Sequence, residues 1–140
     1  MNIMNILSNL PKYLVILFLA GGVFIVVGQF TGKSDKTGAL EINIPELSAI
    51  AVEGQKLFEE NCLSCHGKNA TGSEQGPPLI NDIYRPNHHG DQSFVLAAVR
   101  GVRAHHWQFG NMPPLPQVNE TKMLKIVRYV RELQRANGIN

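Results

Sequence analysis

Cysteine is scarce in this chain, with 2 among 140 residues, and the scarcity removes whole classes of architecture. Two thiols cannot supply a disulfide framework together with a metal cage. An excess of charge is missing too: 13 Lys and Arg against 11 Asp and Glu leave a formal net charge of +2, which by itself argues for no nucleic-acid partner. No second pair of ligands stands at the zinc-site spacing of roughly 12–20 residues from the cysteines. The other histidines are distant doublets, His88-His89 and His105-His106. No buried strand precedes Cys62, so the cysteines lack the βαβ setting of a thioredoxin-like redox pair. Charge is absent altogether from Tyr13 to Gly32. The length leaves room for one ordinary domain and an appendage.

What is present concentrates in Cys62-Leu63-Ser64-Cys65-His66. Two cysteines three positions apart, with a histidine directly after the second, form the attachment signature of a c-type haem. Two thiols on one helical turn reach the vinyl groups along one edge of a porphyrin and form thioethers. The next residue comes under the iron and supplies a neutral imidazole. A structural disulfide is the rival reading, but it leaves His66 without a role. The spacing therefore points to one covalently attached haem c on Cys62 and Cys65, with His66 as proximal iron ligand.

Ser48 is an acceptable N-cap for a helix from about Ala49 to Asn61. Gly54, Phe58 and Cys62 are four apart and share a face. Glycine inside a helix costs about 1 kcal/mol against alanine, so Gly54 marks either the close approach of another helix or a tolerated surface position. Asp91 is expected to cap a helix through about Arg100, closed by Gly101, with Phe94, Val95, Ala98 and Val99 turned toward the haem side. The clearest periodicity is carboxyl-terminal, where Met123, Ile126, Val127, Val130 and Leu133 follow amphipathic spacing. Asn119 or Thr121 caps that helix and Asn137-Gly138 ends it. Lys122, Lys125, Arg128, Arg131 and Arg135 line its other faces as a solvated surface, with a docking patch for an acidic partner as the rival.

With Gly54 and Phe58 leading into the haem motif, and Ile126 and Tyr129 on the last helix, the sequence from about Ala49 to Asn137 resembles class I cytochrome c, the small monohaem electron carriers. The resemblance implies an all-α cytochrome c fold: three or more helices wrapped around one covalently bound haem, the first crossing the last at these four residues. It also implies that the Pro77 carbonyl accepts the second ring proton of His66 and that Leu79 lies against the haem; an ordinary proline turn is the alternative. Met112 is the candidate distal iron ligand. It lies in a loop, is followed by Pro113 and Pro114, and matches the family's Met-Pro element. A thioether there raises the potential relative to two histidines and leaves no site for oxygen. His105 and His106 are rival ligands, whereas Met123 has a core role on the last helix.

Trp107 either donates its indole proton to a haem propionate, as a tryptophan does in related cytochromes, or is a half-buried core aromatic. His88, His89, His105 and His106 are more histidines than a small monohaem protein needs. They read as solvent-edge pairs that hydrogen-bond a propionate. The sharper readings are a surface copper or zinc site, or a place where a copper donor protein docks.

As a helix, the uncharged residues 13–32 would span about 30 Å, the hydrocarbon thickness of a bilayer. A secretory signal is the rival, but its apolar core is usually about 7–15 residues and ends at a small-x-small site. Only Ala20-Gly21-Gly22, in mid-stretch, qualifies. The division expected is a short cytoplasmic terminus at 1–12, an uncleaved transmembrane anchor at 13–32, a linker at 33–48 and the haem domain at 49–140. Lys12, Lys33 and Lys36 flank the segment on both sides and decide no orientation. The family resemblance implies haem attachment outside the bacterial inner membrane, hence a periplasmic domain; a soluble periplasmic protein after signal cleavage is the alternative. The function expected is one-electron transfer between redox protein partners, not enzymatic turnover. A haem c subunit of a larger membrane oxidoreductase, or a haem enzyme or sensor with an open sixth position, are the alternatives.

Overall fold

The computed structural model describes residues 41–140 and, before them, Phe18 alone. The terminus 1–12, the anchor 13–32 apart from Phe18, and the linker up to residue 40 lie outside the described residues. Among the described residues, no helix is long and apolar enough to cross a membrane.

Helix α1 spans Ala49–Asn61, the bounds expected from the sequence. Ser48 starts it: its extended backbone brings Oγ to the Ala51 amide, which donates at 3.3 Å, satisfying one of the orphan donors of the first turn. Glu132 anchors the cap by accepting from the Ser48 amide at 2.9 Å and from its hydroxyl at 2.7 Å. Burial pushes the Glu132 carboxyl up, but the Ser48 bonds and the Arg128 guanidinium outweigh it and hold the group below its ordinary value. After Cys62, whose φ of −122° interrupts the helix, α2 spans Leu63–His66. Short 3-10 turns follow at Lys68–Ala70 and Asp82–Tyr84. Helix α3 spans Asp91–Arg100 and α4 spans Glu120–Ala136. The described domain is all-α as expected, and the only β-type pairing among the described residues is an isolated bridge between Val102 and Met112.

The core is the packing of α1 on α4. Met123, Ile126, Val127, Val130 and Leu133 are all buried, with Tyr129 beside them. Gly54 is the point of closest approach: a Cβ built there would collide with the Lys125 carbonyl and sit 3.1 Å from the Tyr129 Cβ. This settles Gly54 as a crossing residue. Phe58 and Tyr129 meet with ring centroids 5.5 Å apart at 59°, a favourable tilted aromatic pair. The Tyr129 hydroxyl donates to Asn69 at 3.3 Å, and burial, with the Glu59 charge adding to it, pushes its pKa up to about 12, so it remains a donor.

Several expectations are corrected. Asp91 does not cap α3; Gly90 occupies that position, because the Asp91 carboxylate is drawn to Arg131, whose Nε donates to it at 2.8 Å. Val99 is 54% exposed while Phe94, Val95 and Ala98 are buried. From α3 the cavity is lined by Ser93, Phe94, Leu96, Ala97, Ala98 and Arg100, and by neither Val95 nor Val99; at 3.6 residues per turn Val99 lies about 140° around the helix from Phe94. Arg131 is not on a solvated face. Its side chain is only 6% exposed. It donates to the Tyr84 carbonyl and to the Gln134 amide oxygen, both at 2.6 Å, and to the His89 carbonyl, and its guanidinium carbon lies 4.9 Å from the Phe94 ring centroid. One buried cation thus ties α3 and the loop from Tyr84 to His89 onto α4. Asn119, of the two candidates, caps α4, its side chain accepting from the Lys122 amide. Residues 41–48, assigned to the linker, are strapped to the domain. Ile42 and Leu47 pack on the core, and Asn43 and Asn137 exchange two hydrogen bonds of 2.8 Å.

Candidate functional site

Cys62 ends α1 with its amide donating to the Phe58 carbonyl at 2.8 Å, and His66 follows one turn on, its amide donating to the Cys62 carbonyl at 2.9 Å. The kink between α1 and α2 therefore keeps the motif on helical spacing. Cys62 and His66 both line a cavity of about 430 Å³ with mainly apolar walls, the size of a small-molecule or cofactor site. Pro77, Leu79, Trp107 and Met112 line the same cavity, with Phe58 and Ile126 from the helix crossing. Cys65 is half-buried on the adjoining turn and is not among the lining residues. The two cysteines are not joined in a disulfide. Burial, with Cys65 adding to it, pushes the Cys62 thiol up to about 11.

The Nδ1 of His66 lies 2.9 Å from the Pro77 carbonyl. A carbonyl can only accept, so Nδ1 carries the proton and Nε2 carries the lone pair. Burial holds this imidazole below its ordinary pKa, and the Pro77 bond offsets only part of that. The ring is therefore neutral near pH 7 and oriented, the condition of a metal-ligating histidine.

Met112 is fixed by its backbone. It exchanges two hydrogen bonds with Val102, each 2.9 Å. Gly101 allows the close approach: its φ is +74°, and a Cβ there would meet the Met112 carbonyl oxygen at 2.5 Å. The Leu115 amide then donates to the Ala98 carbonyl at 2.7 Å, joining the loop to α3. Met123, the rival methionine, is buried on α4 and also reaches the cavity wall.

Trp107 is half-buried, and its indole N–H donates to the Tyr84 hydroxyl at 3.1 Å. Tyr84 is the residue sequence reasoning missed. It lines the cavity, and its carbonyl accepts from Arg131 at 2.6 Å and from Gln134 at 3.2 Å. No local pattern marks it, because its partners are 23 to 50 positions away. The two histidine doublets, separate in sequence, converge with ring centroids 4.3 to 6.2 Å apart. His89, His105 and His106 line the cavity and His88 does not.

These residues fit an iron porphyrin: a dry-walled cavity, a cysteine and a fixed neutral imidazole on one helical segment, and a thioether carried by an anchored loop.

The cytochrome c family model matches residues 51–134. The chain is 31% identical over 96 residues to the Cbb3-type cytochrome c oxidase subunit CcoP of Rhodobacter capsulatus, covering 64% of this chain and 31% of that protein. A second CcoP sequence of that species is 27% identical over 135 residues, 91% of this chain and 42% of the relative. Cytochrome c oxidase subunit 2 of Alkalihalophilus pseudofirmus is 29% identical over 91 residues, 61% of this chain and 26% of its own length. The chain thus spans well under half the length of the curated relatives it matches. No solved structure matches it significantly. The family match extends over most of the domain built on the α1–α4 crossing, and the chain belongs to the cytochrome c family as a class I c-type cytochrome with covalently attached haem c.

Proposed function

We propose that the protein is a membrane-tethered monohaem cytochrome c that passes single electrons between redox proteins on the periplasmic side of a bacterial inner membrane. Cys62 and Cys65 would hold the haem through thioethers, and His66 and Met112 would ligate its iron. The observation that carries the reading is the His66 ring, held neutral by the Pro77 carbonyl and lining one cavity with Cys62 and Met112. Haem c, when bound, supplies a one-electron iron couple. The chain's own residues keep its surroundings constant. The Pro77 bond fixes the imidazole plane, the Val102 pairing fixes the Met112 backbone, and Leu79, Phe94 and Ile126 keep water from the cavity wall. Such a shell limits rearrangement when the charge changes and tunes the potential. The uncharged residues 13–32 support the tether, and the outer-side haem attachment of the family supports the orientation.

A second reading, a haem c subunit of a larger membrane oxidoreductase, is supported by relatives named as CcoP subunits of a Cbb3-type cytochrome c oxidase, of which this chain spans 28% to 42%. Protein solubilised from its own membrane as a monomer selects the carrier; co-purification with a larger complex selects the subunit.

Absorption spectra test the site under either reading. The ferric protein is expected to show a methionine-to-iron charge-transfer band, and the ferrous spectrum is expected to be unchanged by carbon monoxide. A ready carbon monoxide shift contradicts the closed ligand set and selects a haem enzyme or sensor.

A further inference from the structure

The turn at His88-His89 and the loop at His105-His106 bring four imidazoles together on the solvent side of the cavity. One ring nitrogen from each of His88, His89 and His106 lies within 4.8 Å of the other two. We propose that these three residues form a binding site for a divalent transition-metal ion of the copper or zinc class, separate from the iron.

The donor set selects that class. Three imidazoles and no carboxylate suit copper and zinc, and do not suit calcium or magnesium, which take oxygen. The hydrogen bonds leave ring nitrogens available to a cation. The Nδ1 of His89 lies 2.6 Å from the Ile83 carbonyl, and since a carbonyl only accepts, the bond selects the tautomer with its proton on Nδ1. Nε2 of that tautomer is a lone pair that can bind a metal ion. The Nδ1 of His105 is committed to the Arg103 carbonyl at 2.8 Å in the same way. A ring nitrogen bonded to a carbonyl while the other faces a cation is the arrangement that orients metal-ligating histidines.

The framework is held on both sides. The His88 and His89 amides donate to the Arg85 carbonyl at 3.0 and 2.8 Å, and Arg131 donates to the His89 carbonyl. Across the site, the Ala104 amide donates to the Asn111 side chain at 2.9 Å. In a tetrahedral site with metal–nitrogen bonds near 2.0 Å, ligand nitrogens stand about 3.3 Å apart. From a separation of at most 4.8 Å the trio must therefore contract by no more than about 1.5 Å. His88 and His106 are exposed and their rings are free to turn, while His89 stays fixed. The three ligands leave a coordination position open to water or, after a rotation, to His105, whose ring centroid is 4.3 Å from that of His106.

The test is titration of haem-loaded protein, stripped of copper and zinc by a chelator, with Cu(II) and with Zn(II), followed by calorimetry and, for copper, electron paramagnetic resonance. One equivalent is expected to bind, with nitrogen hyperfine structure on the copper signal and competition between the two ions. His88→Ala and His106→Ala are each expected to weaken binding by at least about tenfold, while His105→Ala retains one equivalent. Circular dichroism of each variant separates loss of a ligand from loss of the fold. Absence of stoichiometric binding to wild type overturns the site. So does binding indifferent to both substitutions, or binding lost in His105→Ala but kept in His106→Ala.

Discussion

Met112→Ala is expected to convert a closed haem into an open one. The charge-transfer band disappears, the ferrous protein takes up carbon monoxide, and the midpoint potential falls by on the order of 100 mV or more, within the roughly 0.8 V span that axial ligands command. The size of the effect follows from how Met112 is held. Its amide and carbonyl are both paired with Val102 at 2.9 Å, and Gly101 brings that strand of backbone close to the Met112 carbonyl. Among the described residues, no other thioether is offered by a loop at the cavity. Met123 lies on helix α4 and is buried in the core, so Met123→Leu, which nearly conserves volume, is expected to keep the band. Optical and potentiometric titration of the two variants checks this. If Met112→Ala keeps the band, Met112 is not an iron ligand.

The largest stability effect is expected at Gly54. Gly54→Ala should destabilise the holoprotein by about 3 kcal/mol, at the upper end for overpacking a tight contact, although alanine favours a helix over glycine by about 1 kcal/mol. The opposed signs make the result diagnostic. The added Cβ meets the Lys125 carbonyl, a helix backbone atom that cannot swing aside, and comes within 3.1 Å of the Tyr129 Cβ. Thermal melting should show a fall of about 12–24 °C for a domain of this size. Gly90→Ala is the comparison: its Cβ would meet nothing nearer than 3.6 Å, so only the exchange of a glycine N-cap for alanine is felt and the melting point should fall far less than for Gly54→Ala. An unchanged or raised melting point for Gly54→Ala contradicts the crossing.

What could be read from the sequence was what depends on near neighbours. Ser48 and the four-residue spacing of Gly54, Phe58 and Cys62 mark α1 to its bounds, because capping and helical faces are local. The apolar repeat from Met123 to Leu133 likewise marks the buried side of α4. The haem motif was legible for the same reason, since five consecutive residues carry its chemistry. What was missed depends on residues far apart in the chain. Arg131 belongs to a basic stripe in sequence, yet its bonds run to Asp91, Tyr84 and His89, 40 to 47 positions away. Asp91 looks like a cap until that arginine takes its carboxylate. Trp107 and Tyr84 share a hydrogen bond with no periodicity to announce it. The histidine doublets look like two solvent-edge pairs, and only the fold makes them one cluster. Residues 41–48 look like linker because the Asn43–Asn137 bonds close over 94 positions.

The measurement that bears most directly on this account is the intact mass of protein matured in a host that attaches haem c. Wild type should carry the mass of one haem, retained under denaturing conditions, and a Cys62→Ala, Cys65→Ala double variant should carry none. Wild-type protein recovered as the bare polypeptide would contradict the covalent attachment on which the cavity, the His66 bond and the role of Met112 have all been interpreted.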